Sequence, residues 1–148
     1  MLLLSSRKAL DIGLLVLRLG IGAAFIAHGL PKITGGPEMW AGLGGAMKNI
    51  GIGGGYQFFG LMAALAEFGG GIAILLGLLT RPAALALAFT MFVATMMHYG
   101  KGDGFKGASH AAEAMFVFIG IFVMGPGRLS LDQMLFGRFC RADESPDK

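Results

Sequence analysis

The sequence predicts an all-α integral membrane protein: an antiparallel four-helix bundle with short interfacial helices in the first loop and at the C-terminus. Composition supports this prediction, because 55% of the 148 residues are hydrophobic and only 14% are charged, against about 25% charged residues in soluble domains. Mean hydropathy is +0.69. Four apolar runs of 16 to 24 residues are candidates to cross a hydrocarbon core of roughly 30 Å, which takes about 20 residues as a helix. The net charge of +3 comes from dispersed Lys and Arg residues, so nucleic acid is not an expected partner.

The four predicted spans are bounded by proline, glycine and charged residues. The first covers residues 10–30 and is expected to end at Pro31, and the second covers residues 56–79. A three-residue connection leads to the third span, residues 82–99, so these two helices form a tight antiparallel hairpin. The fourth covers residues 109–124 and stops at Gly125-Pro126-Gly127. We expect one membrane domain over residues 1–139 and a disordered cytoplasmic tail over residues 140–148.

The polar connections contain two further predicted helices. Residues 37–50 place apolar side chains at a spacing compatible with one face of a short interfacial helix, namely Met39, Trp40, Leu43, Met47 and Ile50. Residues 129–139 are predicted to form a second surface helix that faces lipid. The segment 100–107 is predicted to be a solvated turn, because it carries Lys101, Asp103 and Lys106.

The distribution of positive residues predicts the orientation of the spans. Seven Lys and Arg residues flank the face that carries both termini, and four flank the opposite face. The positive-inside rule therefore predicts that both termini are cytoplasmic. Trp40, Tyr56 and Tyr99 fall at the outer boundary, as expected of an aromatic belt.

Ionisable side chains within the spans are the first candidates for a functional site, because charges at that depth are costly and usually face a partner or water. At 1.5 Å per residue, Arg18 and Glu67 are both predicted near the middle of the bilayer. We therefore expect an Arg18–Glu67 ion pair. The pair could support function, or it could only hold the first two spans in register.

A second candidate group lies toward the outer face. The candidates are His28, Lys32, His98 and His110, which occur near outer span ends, and Glu113, which lies one turn from His110 on the same helix face. These side chains could bind a metal, relay protons or donate hydrogen bonds to a quinone, or they could simply contact water and backbone carbonyls. No compact ligand motif such as HExxH is present, so we predict a polar pocket that opens outward and no metal site.

Several short motifs, taken together, resemble the DoxX family of small four-helix membrane proteins. They are HGxxK with His28 and Lys32, ExxGG with Glu67, LLTRPAA with Thr80 and Arg81, and GxGxxSxD with Ser130 and Asp132. They occur in this order over nearly the whole chain.

The resemblance implies a multi-pass protein of a prokaryotic inner membrane with a link to quinone-coupled redox chemistry. Relatives are described as the membrane subunit of a thiosulfate:quinone oxidoreductase, as companions of sulfurtransferase and superoxide dismutase, and as quinone-resistance proteins. The leading hypothesis is a membrane subunit of a quinone-linked oxidoreductase or oxidative-stress system. We expect a bound quinone, no covalently attached cofactor, and either other subunits or a homo-oligomer as partners. No catalytic residue is assigned. The alternatives are an assembly subunit of a larger respiratory complex and a small-solute or proton permease acting as an oligomer.

Overall fold

The computed structural model describes residues 6–136 and confirms the predicted fold class. Four helices are long and apolar enough to cross a membrane, and they form an antiparallel bundle. The α-helices of the described residues are α1 (Ser6–Thr34), α2 (Gly36–Gly44), α3 (Tyr56–Leu76), α4 (Thr80–Lys101), α5 (Gly104–Met124) and α6 (Leu131–Phe136), with a 3₁₀ helix (Gly45–Ile50) after α2.

Helices α1 and α3 pack so closely that their interface admits only glycine at key points. A Cβ added to Gly29 would lie 2.7 Å from the Cα of Phe68, and one added to Gly22 would lie 2.9 Å from the carbonyl oxygen of Gly71. Small residues permit this backbone approach in lipid, where packing rather than hydrophobic expulsion holds helices together. Because the two helices are antiparallel, each residue further along α1 lies level with one residue earlier along α3. The glycine contacts therefore fix the relative depth of every side chain on the two helices.

Helix α1 is longer than predicted, because it begins at Ser6 and continues through Pro31 to Thr34. The prediction that Pro31 ends the helix was wrong. Proline removes one backbone hydrogen bond, but membrane helices tolerate it where nearby groups satisfy the backbone. Two side chains bond carbonyls of the last turn of α1 and so hold the helix end on either side of Pro31: the Thr34 hydroxyl donates to the Leu30 carbonyl at 2.9 Å, and the Trp40 indole N–H donates to the Lys32 carbonyl at 2.9 Å.

The predicted helix in the first connection is confirmed, and it lies along the first two turns of α3. A Cβ on Gly44 would lie 2.5 Å from the carbonyl carbon of Tyr56, and one on Gly60 would lie 2.5 Å from that of Trp40. The following 3₁₀ helix buries Met47, which is 5% exposed, and approaches α4. This segment therefore covers one side of α3 and α4.

Glycines set the ends of α3 and α4 more tightly than the predicted boundaries. Helix α3 ends at Leu76 rather than at residue 79, because Gly77 adopts a left-handed φ of 68° and its N–H bonds to the Ile74 carbonyl. Helix α4 ends at Lys101, closed by Gly102, and α5 begins at Gly104. The solvated turn predicted over residues 100–107 was therefore wrong for most of its length. We call the end of the bundle that holds the α3–α4 connection the turn end, and the opposite end the far end.

The core lies between the four long helices and consists of apolar side chains from all of them, including Phe25, Ile74, Leu87, Phe118 and Ile121. Phe25 of α1 and Phe118 of α5 meet edge to face, with ring centroids 4.7 Å apart. Of the C-terminal surface helix predicted over residues 129–139, the structure shows the shorter α6, and residues 137–139 lie outside the described residues. The predicted tail, residues 140–148, lies outside the described residues.

Candidate functional site

A cavity of about 450 Å³ lies between α3 and α4 in the half of the bundle toward the far end, with α2 and the 3₁₀ helix on one side. We call it the lateral cavity. Met62 and Phe89 line it and are 39% and 55% exposed, so it opens sideways on the surface of the bundle. Its other apolar walls are supplied mainly by Met47, Phe59, Val93 and Met97, and its polar lining by Lys32, Glu67, Thr90 and His98.

An ion pair between Lys32 and Glu67 forms the polar wall of the lateral cavity. The Lys32 Nζ donates to both carboxylate oxygens of Glu67, at 2.7 and 2.5 Å. The Glu67 side chain is only 5% exposed, whereas that of Lys32 is 30% exposed. Glu67 is the twelfth residue of the 21-residue α3, so the pair lies near the middle of that span.

The predicted ion pair between Arg18 and Glu67 was wrong. Arg18 lies against Gly77, just past the turn end of α3 at Leu76, and Leu76 is nine residues from Glu67, or about 14 Å along the helix axis. The prediction counted the depth of Arg18 from residue 10, the assumed start of the first span, and assumed that residues 10–30 alone cross the membrane. In the structure the contacts of Gly22 and Gly29 with α3 set the register of the two helices, so Lys32 rather than Arg18 reaches the carboxylate.

Arg18 instead joins the turn end to the C-terminal segment. It is 1% exposed, and its Nη2 donates to the carbonyl of Leu129. Gly77 leaves room for the guanidinium, since a Cβ there would lie 2.9 Å from Arg18 Cζ. Within residues 6–136, its Nε and Nη1 have no hydrogen-bond partner.

The predicted motif residues Thr80, Ser130 and Asp132 meet at this same place. Asp132 accepts hydrogen bonds from the N–H groups of Leu79 and Thr80 at 2.7 and 2.9 Å, and so caps the start of α4. The Ser130 hydroxyl donates to the Gly127 carbonyl at 2.7 Å. Arg81 is exposed beside Gly125. These contacts connect the C-terminal segment to the α3–α4 turn, which indicates a structural role.

The predicted outer pocket of His28, Lys32, His98, His110 and Glu113 is divided between two places. Lys32 and His98 line the lateral cavity, and the imidazole Nδ1 of His98 lies 2.7 Å from Asp103 Oδ2. The other three side chains are exposed along α1 and α5, with the His28 and His110 rings 6.2 Å apart.

Sequence reasoning missed the lateral cavity as a site. Its walls come from Met and Phe residues that alternate with small residues on α3 and α4, a pattern that ordinary helix packing also produces. The signal that could have found it is the small residue Ala63 beside Met62 and Ala66 beside Glu67, which leave space next to a buried carboxylate.

The fold and the buried ion pair define a multi-pass membrane protein, a four-helix bundle with a polar pair inside. Residues 13–100 match the family model described as DoxX. The chain therefore belongs to the DoxX family.

Two relatives cover most of the chain. It is 36% identical to the inner membrane protein YqjF of Escherichia coli (strain K12) over 132 residues, which are 87% of this chain and 96% of the relative. It is 31% identical to the uncharacterized membrane protein Rv3486 of Mycobacterium tuberculosis over 135 residues, 82% of this chain and 80% of the relative. No solved structure gives a significant match. Four apolar helices and the likeness to YqjF make this chain a multi-pass inner-membrane protein.

Proposed function

We propose that the chain binds a quinone in the lateral cavity and serves as the membrane subunit of a quinone-linked oxidoreductase or oxidative-stress system. One observation carries the proposal: an apolar cavity of about 450 Å³ that opens toward lipid and has an ion pair in its wall. Small-molecule sites typically occupy about 300–1,000 Å³ and combine apolar walls with a few polar groups.

The lining suits a flat molecule with carbonyl groups and an apolar tail. The ammonium group of Lys32 has three N–H donors, two of which bond to Glu67. The third is available for a ligand carbonyl. Met and Phe side chains offer adaptable surfaces to a ring and its tail. The opening between Met62 and Phe89 lets such a molecule enter from the bilayer rather than from water.

His98 is another polar group of the cavity. It lies eight residues beyond Thr90 on α4, which is about 12 Å along the helix axis. Its ring is oriented by Asp103 at 2.7 Å. We propose that a ligand lies along α4 between Lys32 and His98, with the partner subunit supplying electrons. The positive-inside count supports a cytoplasmic turn end, and we propose on that basis that the lateral cavity lies in the outer half of the membrane.

Fluorescence of the single tryptophan tests the proposal directly. Trp40 lies on α2 and bonds to the Lys32 carbonyl, so a quinone in the lateral cavity should quench its emission. The full chain in lipid nanodiscs is titrated with a ubiquinone that has a short alkyl tail. Saturable quenching is expected, and quenching that rises only linearly with quinone would show partition into lipid without a site.

A matched pair of substitutions separates the cavity from the rest of the surface. Val93→Phe fills the lateral cavity, whose wall includes the 8% exposed Val93. Val123→Phe makes the same change on α5 at a residue that is 69% exposed. We expect Val93→Phe to weaken quinone binding by about tenfold or more, as the loss of 1.4 kcal/mol would. Equal affinities of both variants and the parent chain would refute the site.

A further inference from the structure

Glu113 is an ionisable residue of a membrane-spanning helix whose surroundings residues 6–136 do not complete. It is the tenth of the 21 residues of α5, about 14 Å from the first, yet its side chain is exposed on the bundle surface. The ion pairs within residues 6–136 join Lys32 to Glu67 and His98 to Asp103, and neither includes Glu113. Ionisable groups at such depth normally face a protein partner or a water-filled space rather than lipid. Something other than lipid is therefore expected to cover this carboxylate.

The same surface carries two potential hydrogen-bond donors. His110 lies one turn from Glu113 on α5. His28 approaches His110 from α1, and the centroids of the two imidazole rings are 6.2 Å apart. Both histidines are exposed. A neutral or a protonated imidazole can donate an N–H to a carboxylate. The surface thus combines an acceptor with matching donors within about one helical turn.

The adjacent side of α1 permits close approach of another helix. The exposed residues there include three small ones, Gly20, Ala24 and Ala27. A Cβ placed on Gly20 meets nothing within 4 Å. Small residues four apart are typical of helix pairs that associate in membranes.

We propose that this α1–α5 face, defined by His28, His110 and Glu113, binds the same face of a second copy of the chain. Copies of the chain in one membrane share an orientation, so the two-fold axis of a dimer is parallel to the bilayer normal. Each side chain of one copy therefore contacts side chains of the other copy that lie at the same depth. Glu113 and His110 differ in depth by about 4.5 Å, which side chains can span. The carboxylate of each copy then accepts a hydrogen bond from a histidine of the other. The face carries both the acceptor and the donors, and this hydrogen-bond complementarity with itself favours a second copy over an unrelated protein.

Cysteine cross-linking in native membranes tests the contact. In the full chain carrying Cys140→Ser, Ala24→Cys places a thiol on the proposed face. Leu85→Cys is the control, because the packing register puts it at the same depth on α4, where it is 57% exposed. We expect oxidation to produce a dimer of the chain at Ala24→Cys and far less at Leu85→Cys. Equal yields, or cross-linking of Ala24→Cys only to a different protein, would overturn the proposal.

Substitution of Glu113 tests the polar contact itself. Glu113→Leu should insert and fold normally, since leucine is an ordinary lipid-facing residue, and circular dichroism checks this. Two symmetry-related hydrogen bonds are lost, so we expect about tenfold weaker dimerisation. Glu113→Gln keeps a hydrogen-bonding group and should stay close to the parent chain. Undiminished cross-linking of Ala24→Cys in the Glu113→Leu background would overturn the role of Glu113. The lateral cavity lies on α3 and α4, so quinone binding and dimerisation can fail separately.

Discussion

Replacing Lys32 by methionine is expected to destabilise the bundle by about 3 kcal/mol. The side chains match in length and apolar stem, so the change removes the ammonium group from Glu67. That carboxylate is 5% exposed and accepts both of its ion-pair hydrogen bonds from Lys32, at 2.7 and 2.5 Å. Removing one partner of a buried ion pair costs about 3–5 kcal/mol, and the 30% exposure of Lys32 favours the lower end of that range.

Glu67→Gln should cost less, about 1–2 kcal/mol, because the remaining ammonium group keeps one hydrogen-bond acceptor and part of its contact with solvent. The double variant should be more stable than the sum of the single changes predicts, by about 1–2 kcal/mol, since neither charge is left alone.

The assay is reversible unfolding in mixed detergent and dodecyl sulfate micelles, followed by loss of helical circular dichroism. Lys101→Met is the control, because Lys101 is exposed at the end of α4 and should change the free energy of unfolding by less than about 0.5 kcal/mol. If Lys32→Met behaves like the control, or if the two single changes add without coupling, the ion pair does not stabilise the fold as argued.

Two further predictions concern helix contacts. Asp132→Ala should cost about 1–2 kcal/mol, because it removes the acceptor of two N–H groups at the start of α4, while Asp132→Asn should recover part of the loss; identical unfolding of both variants and the parent chain would contradict the cap. Gly29→Ala should cost about 1–3 kcal/mol, since its Cβ would lie 2.7 Å from the Cα of Phe68. Gly13→Ala meets nothing within 4 Å and should be neutral or stabilising, and equal melting temperatures of the two alanine variants would argue against the close α1–α3 contact.

The four spans could be predicted because hydropathy over about 20 residues is a strong signal and helices are the spanning structure that satisfies its own backbone. Their ends could not be fixed to better than several residues. Pro31 shows why: a sequence rule treats proline as a stop, but α1 continues through it to Thr34, where hydrogen bonds from Thr34 and Trp40 hold the last turn.

The candidate site was only partly predictable. The sequence identified Glu67 as a charged residue inside an apolar span. Such a charge needs a partner in any fold, because leaving it unpaired in the membrane is costly. The sequence did not show whether Arg18 or Lys32 is that partner, because the answer depends on how far α1 is shifted along its axis relative to α3. The register is set by the contacts of Gly22 and Gly29 with α3. It cannot be obtained by counting residues from the predicted end of a span.

The position of Lys32 links the fold to the proposed chemistry. Lys32 lies just beyond Pro31, where α1 gives way to α2, and its carbonyl is held by Trp40 while its ammonium group holds Glu67. Any rearrangement of α2 that admits a ligand must therefore act on the same residue that neutralises the buried carboxylate. We therefore expect cavity occupancy and the strength of the ion pair to be coupled, so that a ligand accepting a hydrogen bond from Lys32 stabilises the whole bundle against unfolding and not only the cavity wall.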